Sequence, residues 1–172
     1  MVIMDPSGAS RGPGAAFNAR GDPTSKPRVR NLRTCRQASD AAWVPPLATP
    51  RWLGANFSQT PAATGGRVSE VLIYVLNRGT FTNAIANVTL LLRPQGSAVV
   101  VEAPVFQSTG SQRLDCPALN RFPVNATLAS AALSPAAFRN ATVLGARVSI
   151  VGSAASSKRQ LPHIAGVGVQ LA

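Results

Sequence analysis

The chain is short of the residues that most active sites require. It has one histidine, two cysteines and six acids among 172 residues. So small a set cannot build most metal sites, which need three or four clustered ligands. Beyond residue 40 the only carboxylates are Glu70, Glu102 and Asp115, which leaves little for paired acid–base work. No apolar run reaches the roughly 18 residues of a membrane span. Neither a GxxxxGK[ST] nor a GxGxxG phosphate loop occurs; Gly65-Gly66 and Gly166-Val167-Gly168 do not make one. Charged residues make up 13% of the chain, about half the usual share.

What is present is apolar, basic and rich in turn formers. Hydrophobic residues reach 45%, a globular level that argues against disorder throughout. Lys and Arg number 17, of which 15 are Arg, and the formal net charge is +11. Abundant Ala, Gly, Pro and Arg together often reflect a GC-rich genome, so part of the basic excess is compositional. Gly and Pro total 28, which predicts many turns and few long helices.

Three zones follow along the chain. Residues 1–40 read as a flexible basic arm, interrupted by Pro6, Pro13, Pro23 and Pro27. Residues 41–66 read as an irregular docking segment or edge strand. There Trp43, Leu47, Trp52 and Phe57 are large enough to pack on a core. Residues 67–172 read as the folded domain. Val68–Leu76 is apolar on both faces, as a central strand would be, and stops at Asn77-Arg78-Gly79. Ile85–Arg93, Ala98–Val105, an alternating run from Phe122 to Leu128, another from Leu144 to Val151, and Ile164–Leu171 supply further strands. Ser134-Pro135 predicts one helical turn, with Ser as N-cap and Pro at the first position. Short strands at about 10-residue spacing predict an all-β chain, an antiparallel β-sandwich of Ig-like or jelly-roll-like form.

Four N-x-[ST] acceptors stand out: Asn56, Asn87, Asn125 and Asn140. Asn125 and Thr127 fall on the polar face of a predicted strand. The same tripeptide is also ordinary strand and turn chemistry. Cys35 and Cys116 form no metal motif. In an oxidising compartment one disulfide would tie the arm to the domain, worth about 4 kcal/mol in the chain-entropy view. Read as unrelated thiols they leave Cys116 with His163, the only histidine, as a nucleophile–base pair on paper. His163, near a strand end, reads more simply as a surface residue. Glu102 lies in an apolar strand, and either burial or an exposed strand face accounts for it.

Lys26, Arg28, Arg30, Arg33 and Arg36 fall within eleven positions with no acid among them. They suit phosphate neutralisation by counterion release. No aromatic is interleaved, so no base-stacking platform is indicated. A solvated basic tail is the plainer reading. Lys158-Arg159 is a smaller cluster, and Arg20-Gly21-Asp22 is an integrin-type tripeptide that short Arg- and Gly-rich chains also produce by chance. Met1–Pro6 shows no apolar h-region. The acid-poor start reads equally as a transit peptide, an incomplete start, a coat-protein arm or an inert tail.

Residues 67–151 carry a resemblance. Val71–Asn77, Ala86-Asn87-Val88-Thr89-Leu90, Val99-Val100-Val101 with Val105-Phe106, Asp115-Cys116, and Leu133-Ser134-Pro135 with Phe138 follow in that order. The string resembles the tapetum-determinant-like secreted proteins of plants and related β-sandwich modules that bind polysaccharide in plant cellulases. It departs from them in having only Cys116 in a comparable place and Ala136 where a glycine follows the proline. The resemblance implies a non-catalytic extracellular module.

The expectation is therefore an extracellular or cell-surface structural and binding module with no cofactor. Its partner is a protein or polysaccharide surface, and it carries no membrane span. The alternative is a coat-like or organellar assembly protein, placed in an organelle or virion. Its arm binds RNA or an acidic partner, and its sandwich packs into homo- or hetero-oligomers.

Overall fold

A computed structural model describes residues 2–4, 42–45, 51–57, 64–75, 81–82, 84–110, 113–114, 118–151 and 161–172. The strands are β1 (Val2–Met4), β2 (Trp52–Asn56), β3 (Val68–Val75), β4 (Phe81–Thr82) and β5 (Ile85–Arg93). They continue with β6 (Val101–Gln107), β7 (Arg113–Leu114), β8 (Ala118–Pro123), β9 (Thr142–Ile150) and β10 (Ile164–Leu171). Two short helices, α1 (Ala126–Ala129) and α2 (Pro135–Asn140), join β8 to β9. The expected all-β architecture is present. A five-stranded antiparallel sheet runs β1-β2-β9-β5-β6, and a three-stranded one runs β10-β3-β8. A small ribbon pairs β4 with β7.

Alternation decides what each sheet buries. Val71 and Ile73 on β3 and Phe122 on β8 turn inward, as do Val88 and Leu90 on β5 and Val148 on β9; all are at most 2% exposed and belong to one cluster. At about 25 cal/mol per Å², fully burying each such side chain contributes roughly 1.5–3 kcal/mol. Phe106 and Phe122 meet edge to face at 5.0 Å and 80°, closing the flank where β6 and β8 run. Trp43 is 1% exposed and exchanges two backbone hydrogen bonds with Ile164, at 2.7 and 2.9 Å, against the edge strand β10. Pro104 lies on β6, an edge strand, where a residue without an N–H is tolerated. Beside it the register skips Val105, whose carbonyl accepts from the Asn125 N–H at 2.8 Å.

Two glycines mark places where backbones touch. A Cβ on Gly145 would stand 2.2 Å from the Ala55 carbonyl oxygen. One on Gly65, in the 3-10 turn Gly65–Arg67, would stand 2.3 Å from the Phe138 carbonyl oxygen of α2.

The structure differs from the sequence reading in four places. Val2–Met4, within the expected arm, pairs with β2 through Val2↔Asn56 and Ile3↔Ala55. Residues 52–56, within the expected docking segment, form an interior strand between β1 and β9, because Leu53 and Ala55 alternate into the core. The third run starts at Val101 rather than Ala98; the turn after Pro94, with Gly96 at φ 75°, carries the chain out through residue 100. The alternating run from Phe122 stops at Pro123. There the Asn125 side chain accepts from the Thr127 and Leu128 N–H groups and starts α1 instead. The Ser134 N-cap and Pro135 start of α2 are as expected.

Replacing Gly145 by Ala is expected to cost about 1–3 kcal/mol by overpacking. Gly168→Ala, where a Cβ meets nothing within 4 Å, should stay within about 0.5 kcal/mol. Urea midpoints at unchanged m-values check both.

Candidate functional site: the outer face of the five-stranded sheet

The residues that alternate away from the core on β2, β9, β5 and β6 line up by register. Trp52 is opposite Ser149, Ser149 opposite Asn87, and Asn87 opposite Gln107. That row places one side chain on each of four strands. At the usual interstrand spacing it spans about 14 Å. The adjacent row runs Gly54, Arg147, Thr89 and Pro104, and the next Asn56, Gly145, Leu91 and Glu102. The face is mixed: one large aromatic, the apolar Leu91 and Pro104, three amides, the Ser149 hydroxyl and one ion pair, with Thr89 buried among them.

Arg147 organises this surface. Its guanidinium lies 4.8 Å from the centroid of the Trp52 ring. Its two terminal nitrogens reach the two carboxylate oxygens of Glu102, Nη2 to Oε1 at 2.7 Å and Nη1 donating to Oε2 at 2.8 Å. The fork therefore bridges from β2 over β5 to β6. An exposed pair of this kind adds only about 0.2–1 kcal/mol to stability, and the cation–π contact about 0.5–1 kcal/mol. Its larger effect is geometric. A planar guanidinium fixed at both terminal nitrogens holds the indole beside it in one orientation.

Glu102 is exposed and ion-paired, so the strand-face reading of this residue holds and the burial reading does not. His163 differs from expectation. It is 2% exposed, since the chain entering β10 packs Leu161 to Ile164 against the core. Cys35 and Cys116 lie outside the described residues, as do Lys26, Arg28, Arg30, Arg33 and Arg36. Among the described residues, no three His, Cys, Asp or Glu side chains come together as a metal-binding group.

The four acceptor asparagines separate into two pairs. Asn56 and Asn87 are half-buried on the sheet face just described, Asn87 on a strand paired on both sides. Asn125 and Asn140 are exposed on the helical connection between β8 and β9. The Asn125 Oδ1 accepts from Thr127 at 2.9 Å and from Leu128 at 3.3 Å, and its Thr127 is exposed. Asn140 is the last residue of α2. Trp52 was expected to pack on the core and Asn87 only to accept a glycan; their shared outer face with Ser149 and Gln107 was not foreseen. Trp52-Leu53-Gly54-Ala55-Asn56 does alternate, but Pro50 and the small residues around it masked the strand.

Fold and face together define a two-sheet β-sandwich with an aromatic–polar outer surface. No family model, curated protein or solved structure matches the chain.

Asn125→Ala should cost about 1 kcal/mol through the lost cap, whereas Asn125→Asp keeps an equivalent acceptor and should be nearly neutral. Chemical denaturation of both variants checks this.

Proposed function

We propose that this protein is a non-catalytic binding module of the extracellular space or cell surface, and that its outer five-stranded face docks a polysaccharide. The observation that carries the reading is the Trp52 ring, held by Arg147 at the head of the Ser149–Asn87–Gln107 row. A sugar ring has an apolar C–H face that suits stacking on an indole, and hydroxyls at its edges that suit amide and hydroxyl partners. A row of hydrogen-bonding side chains repeating at strand spacing matches a ligand that is itself a linear repeat. The resemblance of residues 67–151 to secreted plant proteins and polysaccharide-binding sandwich modules supports the same reading.

Glycosylation belongs to this proposal, and the placement of the acceptors sorts them. A glycan on Asn87 or Asn56 would cover the docking face. Asn125 and Asn140, exposed on the helical connection, are the acceptors compatible with it.

The test is retention on insoluble polysaccharides, with cellulose, xylan, mannan and pectin compared. Wild type should be retained on at least one. Trp52→Ala should weaken that retention at least about tenfold, equivalent to 1.4 kcal/mol, with the urea midpoint little changed. Absence of retention on all four, or retention indifferent to Trp52, overturns the reading.

A further inference from the structure

The two sheets share an end that the proposed function does not use. Arg93 ends β5 and is opposite Thr142, which begins β9 and bridges to Thr64. Thr64 leads into the Gly65–Arg67 turn. Leu171, at the end of β10, pairs with Val68, and Ala172 donates its N–H to the Arg67 carbonyl. Arg139 lies in the last turn of α2, and its side-chain carbons run beside Gly66. Arg67, Arg93 and Arg139 are thus gathered on one rim, and all three are exposed. The described carboxylate side chains are Glu70 and Glu102, and each is already paired, with Arg121 and Arg147. Both acidic side chains among the described residues are thus engaged by other arginines.

From this rim projects the loop joining β5 to β6, residues 94–100. It is a built turn, with the Ser97 N–H donating to Pro94 and the Val99 N–H to the Ser97 hydroxyl. Its outer part is apolar. Val99 is 66% exposed and Val100 47%, the two most exposed large hydrophobics described, and Leu171 at the same end is 37% exposed. Apolar side chains standing out at a loop tip beside three exposed arginines complement one kind of surface, in which anionic headgroups overlie hydrocarbon. A polyanion without hydrocarbon would satisfy the arginines and leave the valines in water.

We infer that this end of the sandwich docks peripherally on an anionic lipid bilayer. Val99 and Val100 enter the headgroup–acyl boundary, and Arg67, Arg93 and Arg139 contact lipid phosphates. The inference goes beyond the polysaccharide reading and concerns a different surface. Asn140 adjoins Arg139, so a glycan there would stand on the same rim and block docking.

The experiment is co-sedimentation of the full chain, made without N-glycans, with vesicles of phosphatidylcholine alone or containing phosphatidylglycerol. Binding should require phosphatidylglycerol. It should fall at least about tenfold in Val99→Ser/Val100→Ser, which leaves net charge untouched, and also in Arg67→Gln/Arg93→Gln/Arg139→Gln. Both variants change exposed side chains, and an unchanged urea midpoint confirms the fold. Three results overturn the inference: no vesicle binding, vesicle binding that ignores the valines, or binding to immobilised heparin as tight as to vesicles and equally blind to the valines. The last two assign the attraction to charge alone.

Discussion

Inward-pointing side chains from two antiparallel sheets hold this molecule together, and each sheet can bury only one face. Val71, Ile73 and Phe122 on one side interlock with Val88, Leu90 and Val148 on the other. Every outward residue is a consequence of that choice. Because period-2 alternation is strict, fixing Leu53 and Ala55 inward obliges Trp52 and Asn56 outward. The same rule turns Arg147 and Ser149 out beside Val148, and Asn87 out beside Val88. The aromatic–polar face is therefore set by the core, through register, before any ligand acts on it.

The legible parts of the sequence were those where one physical signal dominated. Ile85–Arg93, stopped by Pro94-Gln95-Gly96, and Ile164–Leu171, preceded by Pro162, are long apolar strands, and both ends of each agree with the structure. Ser134-Pro135 combined a cap with a preorganised first position and started a helix. The run from Phe122 to Leu128 misled because alternation and capping competed there. Asn125 has the side chain of a cap, and its local hydrogen bonds to Thr127 and Leu128 outweigh an alternating pattern that Pro123 had already interrupted. β1 and β2 were obscured by their setting among prolines and glycines. β1 pairs with β2 across about fifty residues, and β2 with β9 across about ninety, distances no local pattern reports.

The candidate face was less legible than the fold. Asn87 and Asn56 stood out as glycan acceptors, yet their meaning changes once they share a surface with Trp52 and Gln107. Glu102 and Arg147 are 45 residues apart, and only the intervening strand β5 brings them within reach. Trp43 and Trp52, nine residues apart, have opposite fates: one seals the interior and the other stands on the outer surface. Nothing in their side chains distinguishes them; strand register alone does.

The order of the strands has a consequence for how the protein is made. β9 sits between β2 and β5, and β10 flanks β3, so each sheet waits for a strand made well after its other members. Until residues 142–171 leave the ribosome, β2 and β5 have no shared neighbour and expose ladders of unsatisfied amides and carbonyls. Pairings this distant in sequence are slow to close. Until then the nascent chain carries open, adhesive strand edges, and its safe maturation depends on how quickly β9 and β10 follow.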